Sequence, residues 1–156
     1  MTLRIDIQVA GSRSGLPDVA RLRHWARSAL AGHRTDAELS IRIVDAAESQ
    51  ALNRRFRGKD RPTNVLAFPA ELPPDLDLPL LGDLVICRDV VEAEATEQAK
   101  PPHAHWAHMV IHGTLHLVGF DHQTEEEAAK MEAAEAEILG ELGWPDPYRE
   151  TEESDD

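Results

Sequence analysis

The segment HMVIHGTLHLVGFDH, residues 108–122, places four histidines and only one carboxylate within fifteen residues. That spacing constrains the fold more than any other feature of the chain. On an α-helix, residues four apart share a face with Cβ atoms about 6 Å apart, so His112 and His116 reach one ion together. His108 lies on the same stripe but about 12 Å along the axis from His116, too far to join it on an unbroken helix. A third imidazole must come from chain that turns back. Gly119 permits the turn because glycine takes positive φ without strain, and His122 follows three residues later.

His112, His116 and His122 have the ligand spacing of the H-E-x-x-H-x-x-G-x-x-H zinc proteases. Three neutral imidazoles leave an open position on a dipositive ion, the arrangement that lowers a bound water's pKa to about 7. The protease base is missing, since Gly113 stands where the glutamate belongs and Met131 lies in an acidic helix rather than a Met-turn. Asp121, the nearest carboxylate, either orients a ligand imidazole or caps the following turn. Imidazoles suit zinc, nickel, copper and iron alike, so spacing leaves the metal open. His103, His105 and His108 read as surface or packing residues, and Trp106 and Met109 as core.

Periodicity supplies the rest of the architecture. LRIDIQV (3–9) and LSIRIV (39–44) alternate like half-buried strands, and TNVLAF (63–68) and GDLVICR (82–88) read as two more. Helices are expected from Pro17 to about Ala31, from a capping box at Asp45 and Glu48 to Phe56, and from an Asp89 cap to Ala99. Two more follow, one after Pro101 and Pro102 to Leu117 and one from a Thr124–Glu127 capping box to Gly143. The proline-rich PAELPPDLDLP (69–79) is a loop. Four strands in a mixed sheet with about five helices predict an α/β or α+β domain over residues 1–148, followed by an acidic, mobile tail at 149–156. No apolar run approaches a membrane span, the start lacks a signal-peptide pattern, and Cys87 is the single cysteine. Those features lead to the expectation of a cytoplasmic protein without membrane contact.

The formal net charge of -13 is unevenly spread. Residues 1–61 carry 12 basic and 7 acidic side chains, residues 62–122 carry 2 and 9, and residues 123–156 carry 2 and 13. A polyanion is repelled by most of the chain and approaches only through the first part. The densest basic run there is RRFRGKDR, with Arg54, Arg55, Arg57, Lys59 and Arg61. Arg57 either clamps a phosphate or pairs with a surface acid such as Asp60.

HGTLHLVGFDH closely resembles the H-G-x-L-H-L-x-G-[YF]-D-H signature of the YbeY family of bacterial endoribonucleases and ribosomal RNA maturation factors. FRGKDRPTNVLAFP and LLGDLVIC resemble two further motifs of that family, so the resemblance spans about residues 39 to 148. Ala67 stands where serine is usual and Phe120 where tyrosine is common; neither is a ligand position. The resemblance implies a zincin-like fold around one zinc ion held by His112, His116 and His122. It also implies cleavage of single-stranded RNA in 16S ribosomal RNA 3′-end maturation and ribosome quality control. The family's functional arginine aligns with Arg57. Ribosomal RNA is then the expected partner, with ribosomal proteins or the small subunit beside it, and Arg54, Arg55, Lys59 and Arg61 the expected RNA contacts. Two other readings stand beside this one. One is a metalloprotease-like hydrolase using another base; the other is a non-catalytic ribosome assembly protein with a structural zinc.

Overall fold

Alternating side chains build a sheet only where a second layer covers the apolar face, and here three helices do so. The computed structural model describes residues 2–73 and 78–148. In chain order the elements are β1 (Thr2–Val9), α1 (Val19–Leu30), β2 (Asp36–Val44), α2 (Ala46–Arg57), β3 (Val65–Pro69) and β4 (Leu80–Cys87). They are followed by α3 (Arg88–Glu97), α4 (Pro102–Leu117) and α5 (Glu125–Glu141). The sheet order is β1-β2-β4-β3. β1 pairs parallel with β2 and β2 with β4, while β3 runs antiparallel along β4 as an edge strand. The architecture is thus a four-stranded mixed sheet with five helices, of the α+β type expected.

Ile5, Leu39, Ile41, Ile43, Leu84 and Ile86 form the inward face of the sheet, packed with Leu22 and Trp25 of α1, Ile111 and Leu115 of α4, and Met131 and Leu139 of α5. On the opposite face α2 covers a smaller cluster of Val44, Leu66, Val85 and Cys87. The remainder of that face is polar, with Arg4 near Glu38, Ser40 bonded to Asp83, and Arg42 paired to Glu48. α4 is the central helix. Twelve of its sixteen residues are buried and none carries a fixed charge, so it lies under α1, α3 and α5 and against the sheet.

Local signals placed most helix ends. Asp45 accepts from the Glu48 amide, and Thr124 and Glu127 form a complete capping box. Three readings change. α1 starts at Val19 rather than Pro17, with Asp18 as its cap, bonded to the Arg21 amide. Glu48 does not reach back to close a box at α2; its carboxylate is drawn to Arg42, where a charged partner outweighs a neutral amide. Asp89 does not cap its own helix. It sits in the first turn of α3 and accepts from the Ala46 amide, closing the N-terminus of α2 instead. β2 begins three residues before the expected LSIRIV because β1 pairs along its full length, with Asp36 accepting from the Thr2 amide. The expected tail at 149–156 lies outside the described residues, as do residues 74–77 of the loop. Among the described residues no helix is long and apolar enough to cross a membrane.

Candidate metal centre and active-site cleft

α4 delivers two histidines and the turn after it delivers the third. The helix ends at Leu117, and Gly119, at φ +114°, reverses the chain. The Phe120 amide bonds back to the Leu115 carbonyl, and the Phe120 carbonyl accepts from His116 Nδ1 at 2.8 Å. His122 returns over the helix. Ring centroids lie 6.3 Å apart for His112–His116, 5.8 Å for His112–His122 and 5.5 Å for His116–His122. Three imidazoles sharing one tetrahedral ion through Nε2 have centroids about 5 Å apart, given metal–nitrogen bonds of about 2.0–2.1 Å. As they stand, no three His, Cys, Asp or Glu side chains among the described residues converge to a finished ligand set. Closing the gap takes a contraction of about 0.5 to 1.3 Å per pair.

The donor chemistry fits an ion. Glu135 of α5 is fully buried and receives His112 Nδ1 at 2.8 Å on one oxygen. Its other oxygen receives His108 Nε2 at 2.6 Å and the Tyr148 hydroxyl. Burial pushes the Glu135 carboxyl up, but the hydrogen bonds from His108, His112 and Tyr148 outweigh it and bring the pKa down to about 2. Burial, together with the same contact, pushes the Tyr148 hydroxyl far up, so it stays a donor. An anionic Glu135 fixes the His112 proton on Nδ1, and the Phe120 carbonyl does the same for His116. Each ring is left with Nε2 as a lone-pair donor, the arrangement that metal-binding histidines use. Asp121, expected to orient an imidazole or cap a turn, accepts from the His122 amide and contacts no ring nitrogen. The orienting carboxylate is Glu135, 23 residues from His112 in sequence.

These histidines line a cleft of about 250 Å³ together with Arg57, Thr63, Asn64, Val65, Ala67 and Gly113. Gly113 has a packing reason as well as a chemical one. A Cβ there would come within 2.8 Å of Leu84 Cδ2 and 3.2 Å of Val65 Cγ2, so any larger residue must displace those methyl groups.

Arg57 ends α2, and its guanidinium bridges to the edge strand. Nη2 donates to the Ala67 carbonyl at 2.9 Å, and the group lies over Phe68 at 5.3 Å. Asp60, the alternative partner, instead receives Gln50. The loop between α2 and β3 is pinned by Ser49 to Thr63 and by Asn53 to Arg61. Asn64 is held by Glu94, which also takes His105 Nε2 at 2.8 Å. Arg54, Arg55, Arg57, Lys59 and Arg61 are all exposed, and none makes an ion pair among the described residues. The histidines read as surface or packing residues divide: His103 lies edge-on to Trp25, while His105 and His108 are buried and bonded to acids.

Fold and cleft together define a class: an α+β domain whose interior histidine helix faces an arginine and a basic loop across a solvent-open cleft. A model of the family described as Endoribonuclease YbeY matches residues 11–143, and the chain belongs to that family of endoribonucleases. It is also similar to the solution structure of TM1509 from Thermotoga maritima. The two share 31% identity over 88% of this chain and 91% of that one, with a TM-score of 0.59.

Proposed function

We propose that this protein is a metal-dependent endoribonuclease that cleaves single-stranded ribosomal RNA, in 16S rRNA 3′-end maturation and ribosome quality control, with one zinc ion held by His112, His116 and His122. The observation that carries this reading is the shared cleft, in which three imidazoles with their Nδ1 sides spoken for or open stand opposite the Arg57 guanidinium. When bound, the ion supplies Lewis acidity and a water of pKa about 7. The chain's residues do the remaining work. Glu135 and the Phe120 carbonyl hold two ligand rings in one tautomer and orientation. Arg57, anchored at Ala67, presents its remaining N–H groups to a phosphate and offsets the charge that builds there. Arg54, Arg55, Lys59 and Arg61 draw the backbone in, and the acidic remainder of the chain repels a second strand. Among the described residues, the cleft lining carries no carboxylate. The buried Gly113 and the family both speak against the protease alternative. The proposed setting is cytoplasmic, with ribosomal proteins of the small subunit as neighbours.

The test runs a single-stranded oligoribonucleotide and casein side by side. The His112→Ala/His116→Ala/His122→Ala variant is expected to lose bound zinc and RNA cleavage together. Arg57→Ala keeps its zinc but loses roughly a hundredfold or more in rate, the scale of one transition-state charge stabiliser. Arg57→Lys regains part, keeping charge without the bidentate fork. RNA cleavage surviving in the triple variant, or casein hydrolysis by the parent, overturns the proposal.

A further inference from the structure

Phe56 is the most exposed large apolar side chain among the described residues, at 49% of its surface. The helical register does not ask for this. Ser49 and Asn53 of α2 are buried and Leu52 half-buried, and Phe56 follows at the i+3 and i+4 positions of the same stripe. The last turn of α2, however, meets the edge strand β3 rather than the sheet interior. It carries Phe56 beyond the small cluster around Leu66 and Val85, against the edge of Phe68 rather than into the core. Exposing a phenyl ring wastes the stabilisation that burial of the same group gives elsewhere.

The surroundings of the ring are what single it out. Arg57, a lining residue of the cleft, lies over Phe68 at 5.3 Å. Phe68 meets Phe56 edge to face at 5.2 Å, and Arg55 lies over Phe56 at 5.1 Å. Cation, ring, ring and cation are thus joined pairwise at about 5 Å, with Arg57 of the cleft at one end of the series. Arg54, Lys59 and Arg61 flank this run, and the rest of the chain is strongly acidic. Aromatic faces set among arginines are how proteins hold unpaired nucleic-acid strands, because every base has a π-face and a cation beside it meets the adjoining phosphate. A duplex offers no such base, since its faces are already stacked on one another.

We infer that Phe56 is a stacking platform for one unpaired base of the RNA, lying a short distance along the strand from the scissile phosphate, with Arg55 meeting the phosphate beside that base. The inference rests on the endoribonuclease reading and deepens it. Selection for single strands then has an attractive part, the captured base, in addition to repulsion of a second backbone. Phe56 is a binding residue, not a catalytic one.

Steady-state cleavage of a labelled single-stranded oligoribonucleotide tests this with Phe56→Leu and Phe56→Trp, bound zinc and thermal stability being measured for each. Leucine keeps apolar contact with Phe68 but has no π-face. Phe56→Leu is expected to raise KM about five- to a hundredfold, the range for losing one stacked base, with kcat changed by no more than about twofold. Phe56→Trp retains a KM near the parent's. A series of the same oligonucleotide with one abasic residue at each position adds a readout that lost stability would not move. One position raises KM for the parent and for Phe56→Trp, yet has no further effect on Phe56→Leu. An unchanged KM for Phe56→Leu, or abasic penalties identical in parent and Phe56→Leu at every position, overturns the platform while leaving the nuclease reading intact. A parent that neither binds nor cleaves the oligonucleotide overturns both.

Discussion

Glu135 shows how much rests on a single buried charge. A carboxylate with none of its surface exposed survives only because three donors reach it, from His108, His112 and Tyr148. Through His112 it is tied to the three-histidine cluster, and through Tyr148 to the segment after α5. Glu135→Gln preserves shape but removes the charge and turns an acceptor oxygen into an NH₂ facing other donors. Zinc affinity, read by competition with a chromophoric chelator, is expected to fall about 10- to 100-fold, the usual cost of losing a ligand's carboxylate partner. The metal-free variant is expected to be less stable as well, since His108 and Tyr148 lose their charged acceptor. An unchanged zinc affinity would mean that Glu135 organises the core without orienting His112.

At the scale of elements, α4 lies close against the sheet at Gly113. Its backbone is ordinary helix, so alanine's helix propensity alone would favour Gly113→Ala by about 1 kcal/mol. Against this stand contacts of 2.8 and 3.1 Å to the Leu84 methyls and 3.2 Å to Val65, all inside packed layers. Overpacking of this kind costs about 1–3 kcal/mol, so we expect net destabilisation of about 1 kcal/mol in urea unfolding, with zinc retained. A more stable Gly113→Ala would mean that Leu84 gives way freely. Gly113→Glu is expected to be more destabilising than Gly113→Ala, because its Cβ meets the same methyls and a longer, charged side chain must also find room in the cleft. Sequence alone read Gly113 as a missing base; the sheet packed against it makes it a spacer.

For the molecule as a whole, His105 in the N-terminal half of α4 makes stability depend on pH. His105 is 2% exposed, with Nε2 on Glu94, Nδ1 3.5 Å from Lys100 Nζ, and its ring edge-on to His108. Burial lowers its pKa from the usual 6.5; the Glu94 hydrogen bond acts in the opposite sense, and the Lys100 charge adds to the lowering. The folded protein therefore holds His105 neutral while the unfolded chain takes up a proton below pH 6.5. The unfolded state binds more protons in that window, so stability is full above pH 6.5 and lost as pH falls below it. Urea midpoints of the metal-free protein are expected to decline from pH 7 towards pH 5, with a shallower decline in His105→Gln. Equal slopes for the two would assign the loss elsewhere.

What the sequence determined by itself is what short-range geometry controls. Alternation marked two of the four strands, Asp45 and Thr124 marked two helix starts, and the i, i+4 spacing with Gly119 brought His112, His116 and His122 together, because each depends on residues within a turn or two of one another. The cleft arginine was visible as part of a charge run, but not its bond to Ala67 on another strand. Only the tertiary structure decided that Glu135 rather than Asp121 faces a ligand ring, that Asp89 closes a neighbouring helix rather than its own, and that Phe56 leaves the core stripe for the surface. The reason is common to all three. Helical and strand periods say which side of an element a residue occupies, whereas the partner it meets depends on where other elements end and cross, and that is fixed by packing across the whole domain.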